Sequence, residues 1–231
     1  MKNDYLIIKF LDEKNLLEIK KSLSISTETD WQNGISSFIG NLETKNNIEL
    51  ANPYILQRIS KCLYESIDAN KKFANFCFPK KIEDFLVSRT LQHGYYNPHI
   101  DSGLNGQYSV TIFLSDPSTY DGGQLCFFMN NEEINIKLEP GWGIVYPTGI
   151  PHRVNIVTNG VRDVIVFWAK SFIKDPIIRE ICYELSEIDL GKEDGTGNVV
   201  KPYHDFESVL NQNSFKLTNI FNKLIRTYGD I

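Results

Sequence analysis

Hydrophobic residues recur at helical spacing in the first third of the chain and alternate with polar residues through its middle. In NPYILQRISKCLYESIDANKKF, Ile55, Leu56, Ile59, Leu63 and Ile67 fall on one side of a helix that Asn52 can cap and Pro53 can open. Such a stripe needs a surface to lie against. From about residue 85 to 172 the period becomes two. Tyr108, Val110, Ile112 and Leu114 alternate with Ser109, Thr111 and Phe113, and Ile134, Ile136 and Leu138 alternate with Glu133, Asn135 and Lys137, which predicts half-buried strands. Asp121-Gly122-Gly123, Pro140-Gly141, Thr148-Gly149 and Asn159-Gly160 punctuate them as turns. Many short strands so divided suggest a sandwich or jelly roll. Helical spacing returns in DPIIREICYELSEIDL, with Asp175 as cap and Pro176 in the first turn. GKEDGTGNVVKPYHD reads as a polar linker. Asp205 then starts a second amphipathic stretch with Leu217, Ile220, Phe221, Leu224 and Ile225 on one side. The expected plan is a single domain: 1–85 a helical support region, 86–173 a β core, and 174–231 a helical extension.

Composition narrows this picture. With 231 residues, 42% of them hydrophobic and 12% aromatic, the chain can bury a sizeable core. Lys and Arg number 24 against 29 Asp and Glu, a net charge of -5 with no basic block to neutralise a run of phosphates, so nucleic acid is not an expected partner. The four cysteines, Cys62, Cys77, Cys126 and Cys182, are too few and too scattered for a disulfide scaffold and read as packed small hydrophobes in a reducing compartment. The start, MKNDYLIIKFLDEKN, holds too short an apolar run for a signal-peptide core or a membrane span. The expectation is a cytoplasmic protein without a membrane partner.

Candidate chemistry begins in HGYYNPHIDSGLNGQYSVTIFL. Side chains two apart on a strand share a face, so His99 and Asp101 converge while Ile100 is expected to turn into the core. A His-x-Asp pair alone is weak, since polar strand ends produce it by chance. In GWGIVYPTGIPHRVNIVTNGVRDVIVFWAKS, His152 begins a further strand and offers a third ligand. Two neutral imidazoles and one carboxylate, placed facially, hold Fe(II) and leave positions open for a chelating cosubstrate and dioxygen. The competing reading makes His152 a loop cap. Arg162 then opens the alternation Arg162, Val164, Val166, Trp168. An arginine on an apolar face is costly unless an anion meets it, and its planar fork grips a carboxylate in two places. An internal salt bridge is the alternative. Arg89 is a further candidate near the site, and Arg153, on the other face from His152, is expected to meet solvent. His93, in a turn with Gly94, reads as a surface or packing residue before a substrate-contacting one. His204, in the linker, is expected to be exposed.

The runs SRTLQHGYYNPHIDSGLNGQYSVTIFLSDPSTYDGGQLCFF and KLEPGWGIVYPTGIPHRVNIVTNGVRDVIVFWAKS together resemble the catalytic core of the Fe(II)/2-oxoglutarate-dependent oxygenases. They are most similar to bacterial and phage proteins of the PKHD hydroxylase type and, more distantly, to prolyl 4-hydroxylases. The shared features are a Tyr three residues before the first His, the His-x-Asp pair, the Tyr-x-Gly-Gly-x-Leu turn, and the later Tyr-Pro, His and Arg. The similarity spans about residues 86–173. It implies an α+β fold with a mainly β core, a double-stranded β-helix or jelly roll with flanking N- and C-terminal helices. It also implies His99, Asp101 and His152 as iron ligands, with no separate general base, and Arg162 as holder of the distal carboxylate of 2-oxoglutarate. Tyr96 would line the same pocket. Tyr146 and Trp168 are candidates to line it too, against the plainer reading of strand aromatics as core. Where many relatives have Arg-Tyr, Arg89 is followed here by Thr90, so one cosubstrate-contacting hydroxyl is expected from elsewhere.

The implied cofactors are Fe(II), 2-oxoglutarate and O2, with ascorbate a further candidate. The implied reaction is hydroxylation of a C–H bond with release of succinate and CO2, on a protein or peptide residue such as proline. A free amino acid or other small metabolite is the alternative substrate. Loops 102–107 and 115–121, with Asn105, Gly106 and Ser118, are expected to shape specificity as mobile segments. The acidic balance counts against repair of alkylated nucleic acid. A non-catalytic jelly-roll module binding a sugar or partner protein, and a cupin-like metalloenzyme without 2-oxoglutarate, stay open. The terminal helices are expected to cover the sheet, to form a homodimer contact, or to do both.

Overall fold

The computed structural model describes residues 5–37, 44–104, 106–129, 131–186, 192–193, 199–200, 217–218, 221–222, 224–227 and 229. Asn105, most of the 191–205 linker with His204 and Asp205, and Ile220 lie outside the described residues. In chain order the first elements are β1 (Leu6–Lys9), α1 (Glu13–Ser24), β2 (Trp31–Asn33), β3 (Lys45–Asn46), β4 (Ile48–Leu50), α2 (Pro53–Asp68), α3 (Lys71–Cys77) and β5 (Pro79–Ile82). There follow β6 (Leu86–Thr90), β7 (Tyr95–His99), β8 (Tyr108–Phe113), β9 (Asp121–Gly122), β10 (Leu125–Met129), β11 (Glu132–Ile136) and β12 (Trp142–Pro147). The last are β13 (His152–Val154), β14 (Val157–Asn159), β15 (Arg162–Ser171) and α4 (Pro176–Ser186).

Two compact units are distinguished, Met1–Ala74 with Pro79–Lys170, and Asn75–Phe78 with Ser171–Ile231. The first holds an eight-stranded sheet in the order β1-β12-β8-β15-β6-β4-β2, with β5 also on β15, and a five-stranded sheet in the order β11-β10-β13-β7-β3. Strand pairs across both are antiparallel, as in Val164 with Phe113 and His152 with His99. The two sheets enclose a core of Phe113, Leu125, Phe127, Ile136, Ile144, Tyr146 and Val164. This is the jelly-roll plan, an α+β fold with a mainly β core.

The period-two pattern decides which side chains face that interior. Val110 pairs with Phe167, so both point to the outer face of the large sheet, where Phe10 and Phe73 meet Phe167 at ring centroids of 6.0 and 5.9 Å. β8 is consequently buried at all six positions, and the half-buried expectation is corrected for it: aromatic packing covers one face and the jelly-roll core the other. The edge strand β11 keeps exposed Glu132, Glu133 and Asn135 around Ile134 and Ile136, as alternation predicts. In α2, Asn52 Oδ1 accepts from the amides of Tyr54 and Ile55, and Ile55, Ile59, Leu63 and Ile67 are buried. The Asn15 amide donates to Ser66 Oγ at 3.0 Å, tying α1 to α2.

Residues 1–85 are not solely a helical support region. β1, β2, β4 and β5 join the large sheet and β3 joins the small one. These strands have two to four residues, too few for alternation to declare itself. In the second unit, Asp175 Oδ1 accepts from Ile177 and Ile178 to cap α4, and Ile173 and Cys182 pack with Phe78. Within the predicted linker, Lys192–Glu193 pairs with Val199–Val200. Among the described residues no helix is long and apolar enough to cross a membrane.

Candidate active site

β13 lies against β7 with His152 opposite His99, which sets the two imidazoles on one face of the small sheet with ring centroids 4.2 Å apart. Asp101 sits just past the end of β7. Its Oδ1 is 3.6 Å from His99 Nε2 and 3.8 Å from His152 Nε2, and the three potential ligand atoms lie within 4.8 Å of one another. Each imidazole is locked from behind. His99 Nδ1 is 2.8 Å from the Asn97 carbonyl and His152 Nδ1 is 2.9 Å from that of Ile150. A carbonyl only accepts, so each Nδ1 carries the proton and each Nε2 turns its lone pair inward. Asp101 Oδ2 accepts from Ser109 Oγ at 2.6 Å and from Trp168 Nε1 at 3.1 Å. Burial alone would raise the Asp101 carboxyl, but His99, His152, Ser109 and Trp168 together bring it down to about 2. Burial lowers the pKa of His152, which favours the neutral ring that a metal needs.

Aromatic residues close the cluster. Tyr96 stacks on His99 at 3.6 Å, and Tyr146 Oη lies 3.3 Å from His152 Nε2. Burial raises the pKa of both phenols, and the Asp101 carboxylate adds to the effect. The cluster opens into a cavity of about 460 Å³ between the two sheets, lined among others by Tyr96, Tyr146, Arg162 and Trp168.

Arg162 is 2% exposed, with Cζ 5.3 Å from the Phe113 ring and Nε buried without a hydrogen-bond partner. Among the described residues no carboxylate pairs with it, which removes the internal salt bridge as its explanation. The adjacent acid, Asp163, turns to the other face and is held by Arg89 through two hydrogen bonds of 2.8 Å. The expectation that Arg89 lines the pocket is thereby corrected. Alternation along β6 sends Ser88 and Thr90 into the cavity and Arg89 outward, where it stacks over Trp31 at 4.1 Å. The Tyr-x-Gly-Gly-x-Leu turn gives Arg162 its room. Gly122 and Gly123 adopt φ of 72° and 65°, and a Cβ on Gly123 would stand 3.1 Å from Arg162 Cδ.

Other expectations shift. Ile100 does not turn into the core: past the end of β7 alternation no longer binds, and it stands 58% exposed among the residues lining the cavity, as does Leu104 at 83%. Loop 115–121 lines none of the cavity. A Cβ on Gly106 would meet the Ala169 carbonyl at 2.4 Å, so this glycine is pinned against β15. His93 is exposed in a left-handed turn, φ 67°, and Arg153 is paired with Glu133 at 2.7 Å. Sequence reasoning missed Ser109 as a donor to Asp101, because taking Tyr108, Val110 and Ile112 as the buried face of a half-buried strand put Ser109 on the opposite side. It also missed Lys45, Asn47 and Glu49 in the cavity wall, because β3, β4 and the single residue between them are too short to carry a periodic signal.

Residues 85–170 match the 2OG-Fe(II) oxygenase superfamily. The chain is 32% identical over 188 residues to a PKHD-type hydroxylase of Prochlorococcus marinus, covering 79% of this chain and 85% of that one. It belongs to the PKHD-type hydroxylases. A second such hydroxylase, from Thermosynechococcus vestitus, is 30% identical over 229 residues, 95% of each chain. This PKHD-type hydroxylase is therefore an enzyme dependent on Fe(II), 2-oxoglutarate and O2. Its fold is shared with a Trichoplax adhaerens prolyl hydroxylase solved with a hypoxia inducible factor peptide fragment, at TM-score 0.57 and 18% identity over 80% of this chain and 88% of that one. A Pseudomonas putida prolyl-4-hydroxylase has the same fold at TM-score 0.51 and 14% identity, over 73% and 92%.

Proposed function

We propose that His99 and His152 through Nε2, and Asp101 through Oδ1, hold the ferrous ion, and that Arg162 holds the distal carboxylate of 2-oxoglutarate. The substrate we propose is a peptidyl residue such as proline, hydroxylated at a C–H bond. The donor set suits the metal: two neutral imidazoles and one carboxylate on one side of a cavity leave the other side open. The observation that carries the cosubstrate assignment is Arg162, a buried guanidinium with no carboxylate partner among the described residues beside that donor set. When bound, iron with 2-oxoglutarate and dioxygen supplies the oxidising power, yielding succinate and CO2.

The protein's own part is geometric and electrostatic. Ser109 and Trp168 occupy Oδ2 and so leave Oδ1 aimed at the two histidines. Leu125, Val164 and Val166 give the cavity apolar walls that limit water around the reacting groups. Support for a peptidyl substrate comes from the prolyl hydroxylase neighbours, one of them solved with a peptide. The free cysteines, Cys77, Cys126 and Cys182 among them buried, favour the cytoplasm. The test is anaerobic reconstitution with Fe(II) and 2-oxoglutarate, read as the charge-transfer absorption of the chelate. Arg162→Ala is expected to abolish 2-oxoglutarate binding and keep metal binding. Unchanged 2-oxoglutarate affinity in that variant would overturn the assignment. Candidate peptides are then scored by succinate release coupled to a mass gain of one oxygen atom.

A further inference from the structure

One row of side chains crosses the large sheet beside the ligand cluster. Register sets Trp168 on β15 and Tyr146 on β12 against the same residue of β8, Ser109. Each of the three carries a donor that reaches the cluster. Trp168 Nε1 and Ser109 Oγ both donate to Asp101 Oδ2, the oxygen that is not assigned to iron. The third donor is aimed differently. Tyr146 Oη stands 3.3 Å from His152 Nε2, and because His152 Nδ1 gives its proton to the Ile150 carbonyl, the phenol donates and Nε2 accepts. This hydrogen bond falls on the very lone pair assigned above to the metal.

A lone pair serves one partner at a time. With Nε2 given to iron the phenol loses its acceptor, and a buried hydroxyl without one is costly. Tyr146 is 2% exposed, and its ring packs edge-on against Phe127 with centroids 4.6 Å apart, so the O–H bond can turn while the ring stays. A phenol keeps its proton at neutral pH, which closes ionisation as an escape. The neutral acceptors acting on it are Thr111 and Ser109, and Ser109 already spends its own proton on Asp101. A carboxylate is the stronger acceptor, because charge-assisted hydrogen bonds exceed neutral ones. Tyr146 lines the same cavity as Arg162, and the two act on one another electrostatically. The phenol is thus shared between the ligand cluster and the guanidinium assigned to a carboxylate.

We propose that Tyr146 is a cosubstrate-binding residue that works by handover: its hydroxyl donates to His152 Nε2 until a metal takes that nitrogen, and then to a carboxylate oxygen of 2-oxoglutarate. This deepens the metal and cosubstrate assignment above and rests on it. The phenol competes with the metal and assists the cosubstrate, so its removal acts on the two in opposite directions. A residue that only packed the site would weaken both.

Tyr146→Phe deletes the hydroxyl and keeps the ring that packs on Phe127. Mn(II) binding without cosubstrate is measured by competition with a chelator, and 2-oxoglutarate binding to the Mn(II)-saturated protein by calorimetry, neither of which needs turnover. The variant is expected to bind Mn(II) about threefold more tightly than the wild type and 2-oxoglutarate about tenfold more weakly, the latter being the ratio that about 1.4 kcal/mol provides. Mn(II) affinity that is unchanged or weaker overturns the proposal. So does 2-oxoglutarate affinity that is unchanged or stronger, since the freed hydroxyl would then have turned to Thr111 or Ser109. With Fe(II), the charge-transfer absorption of the chelate tells which end of the cosubstrate is held: a shifted maximum in the variant marks the chelating carboxylate and an unshifted one the distal carboxylate, and both agree with the handover. Should the variant fail to fold, the 15N resonances of the histidines in wild-type protein without metal decide. A His152 Nε2 signal at the position of a hydrogen-bonded acceptor supports the proposal, and one at the position of a free nitrogen overturns it. Loading of the wild type is measured first: failure to take up Mn(II) and 2-oxoglutarate sinks the ligand set, whereas loading without the opposite responses in Tyr146→Phe sinks the handover alone.

Discussion

Asp101 divides its two oxygens between two tasks, Oδ1 toward the histidines and Oδ2 toward Ser109 and Trp168. Trp168→Phe keeps an aromatic side chain, smaller than the indole, and removes the donor, and is expected to weaken metal binding by about 10–100-fold, the usual effect of losing a group that orients a ligand. Titration against a competing chelator measures it, and unchanged affinity would show that Ser109 suffices. His152 sets the pH behaviour. Its pKa in the fold lies below the ordinary 6.5, chiefly through burial, so the folded state prefers the neutral ring. The resulting stabilisation is fully present above 6.5 and is lost as pH falls through the lower folded value. Metal-free protein is therefore expected to show a falling Tm as pH drops below 6.5, with a shallower fall in His152→Gln. Asp101 acts far lower. Its carboxyl, at about 2 against an ordinary 3.8, supports the fold above 3.8 and withdraws that support only as pH falls through about 2.

Among the elements, those with several turns or several alternations were legible in advance. α2 and α4 begin at the residues that Asn52 and Asp175 cap, and the interior of β15 follows Arg162, Val164, Val166 and Trp168. The cluster of His99, Asp101 and His152 was legible for another reason, the His-x-Asp spacing and the later His within the runs that carry the family resemblance, since β13 itself has only three residues. β1 to β5 were not legible: two to four residues cannot display a period, and their pairings depend on partners far along the chain. That is why Lys45 and Glu49 escaped notice. The Gly122-Gly123 turn was visible as a motif but its cause was not. A Cβ on Gly122 would stand 2.0 Å from the Ile156 carbonyl at φ 72°, so Gly122→Ala is expected to cost on the order of 1–3 kcal/mol. Urea unfolding would read this as a lower midpoint with the slope retained.

For the molecule as a whole, ligand binding and stability are one equilibrium. Metal at one hundred times its Kd is expected to add about 2.7 kcal/mol to the folded state of the first compact unit, visible as a rise in Tm that a chelator reverses. A second rise with 2-oxoglutarate should appear in the wild type and vanish in Arg162→Ala, with the metal-dependent rise retained. The topology behind this unit was the least readable property, because Ile48 finds Arg89 and Val164 finds Phe113 through packing that no local pattern encodes. The pairing of β1 with β12 carries a temporal consequence. Leu6 meets Val145, a partner made about 140 residues later. At roughly 5–20 residues per second of translation, the nascent amino-terminal strand waits on the order of ten seconds on the ribosome with its hydrogen-bonding edge bare. Newly made chains are therefore most vulnerable to chaperone capture or misassociation during that interval, before the mature sheet exists.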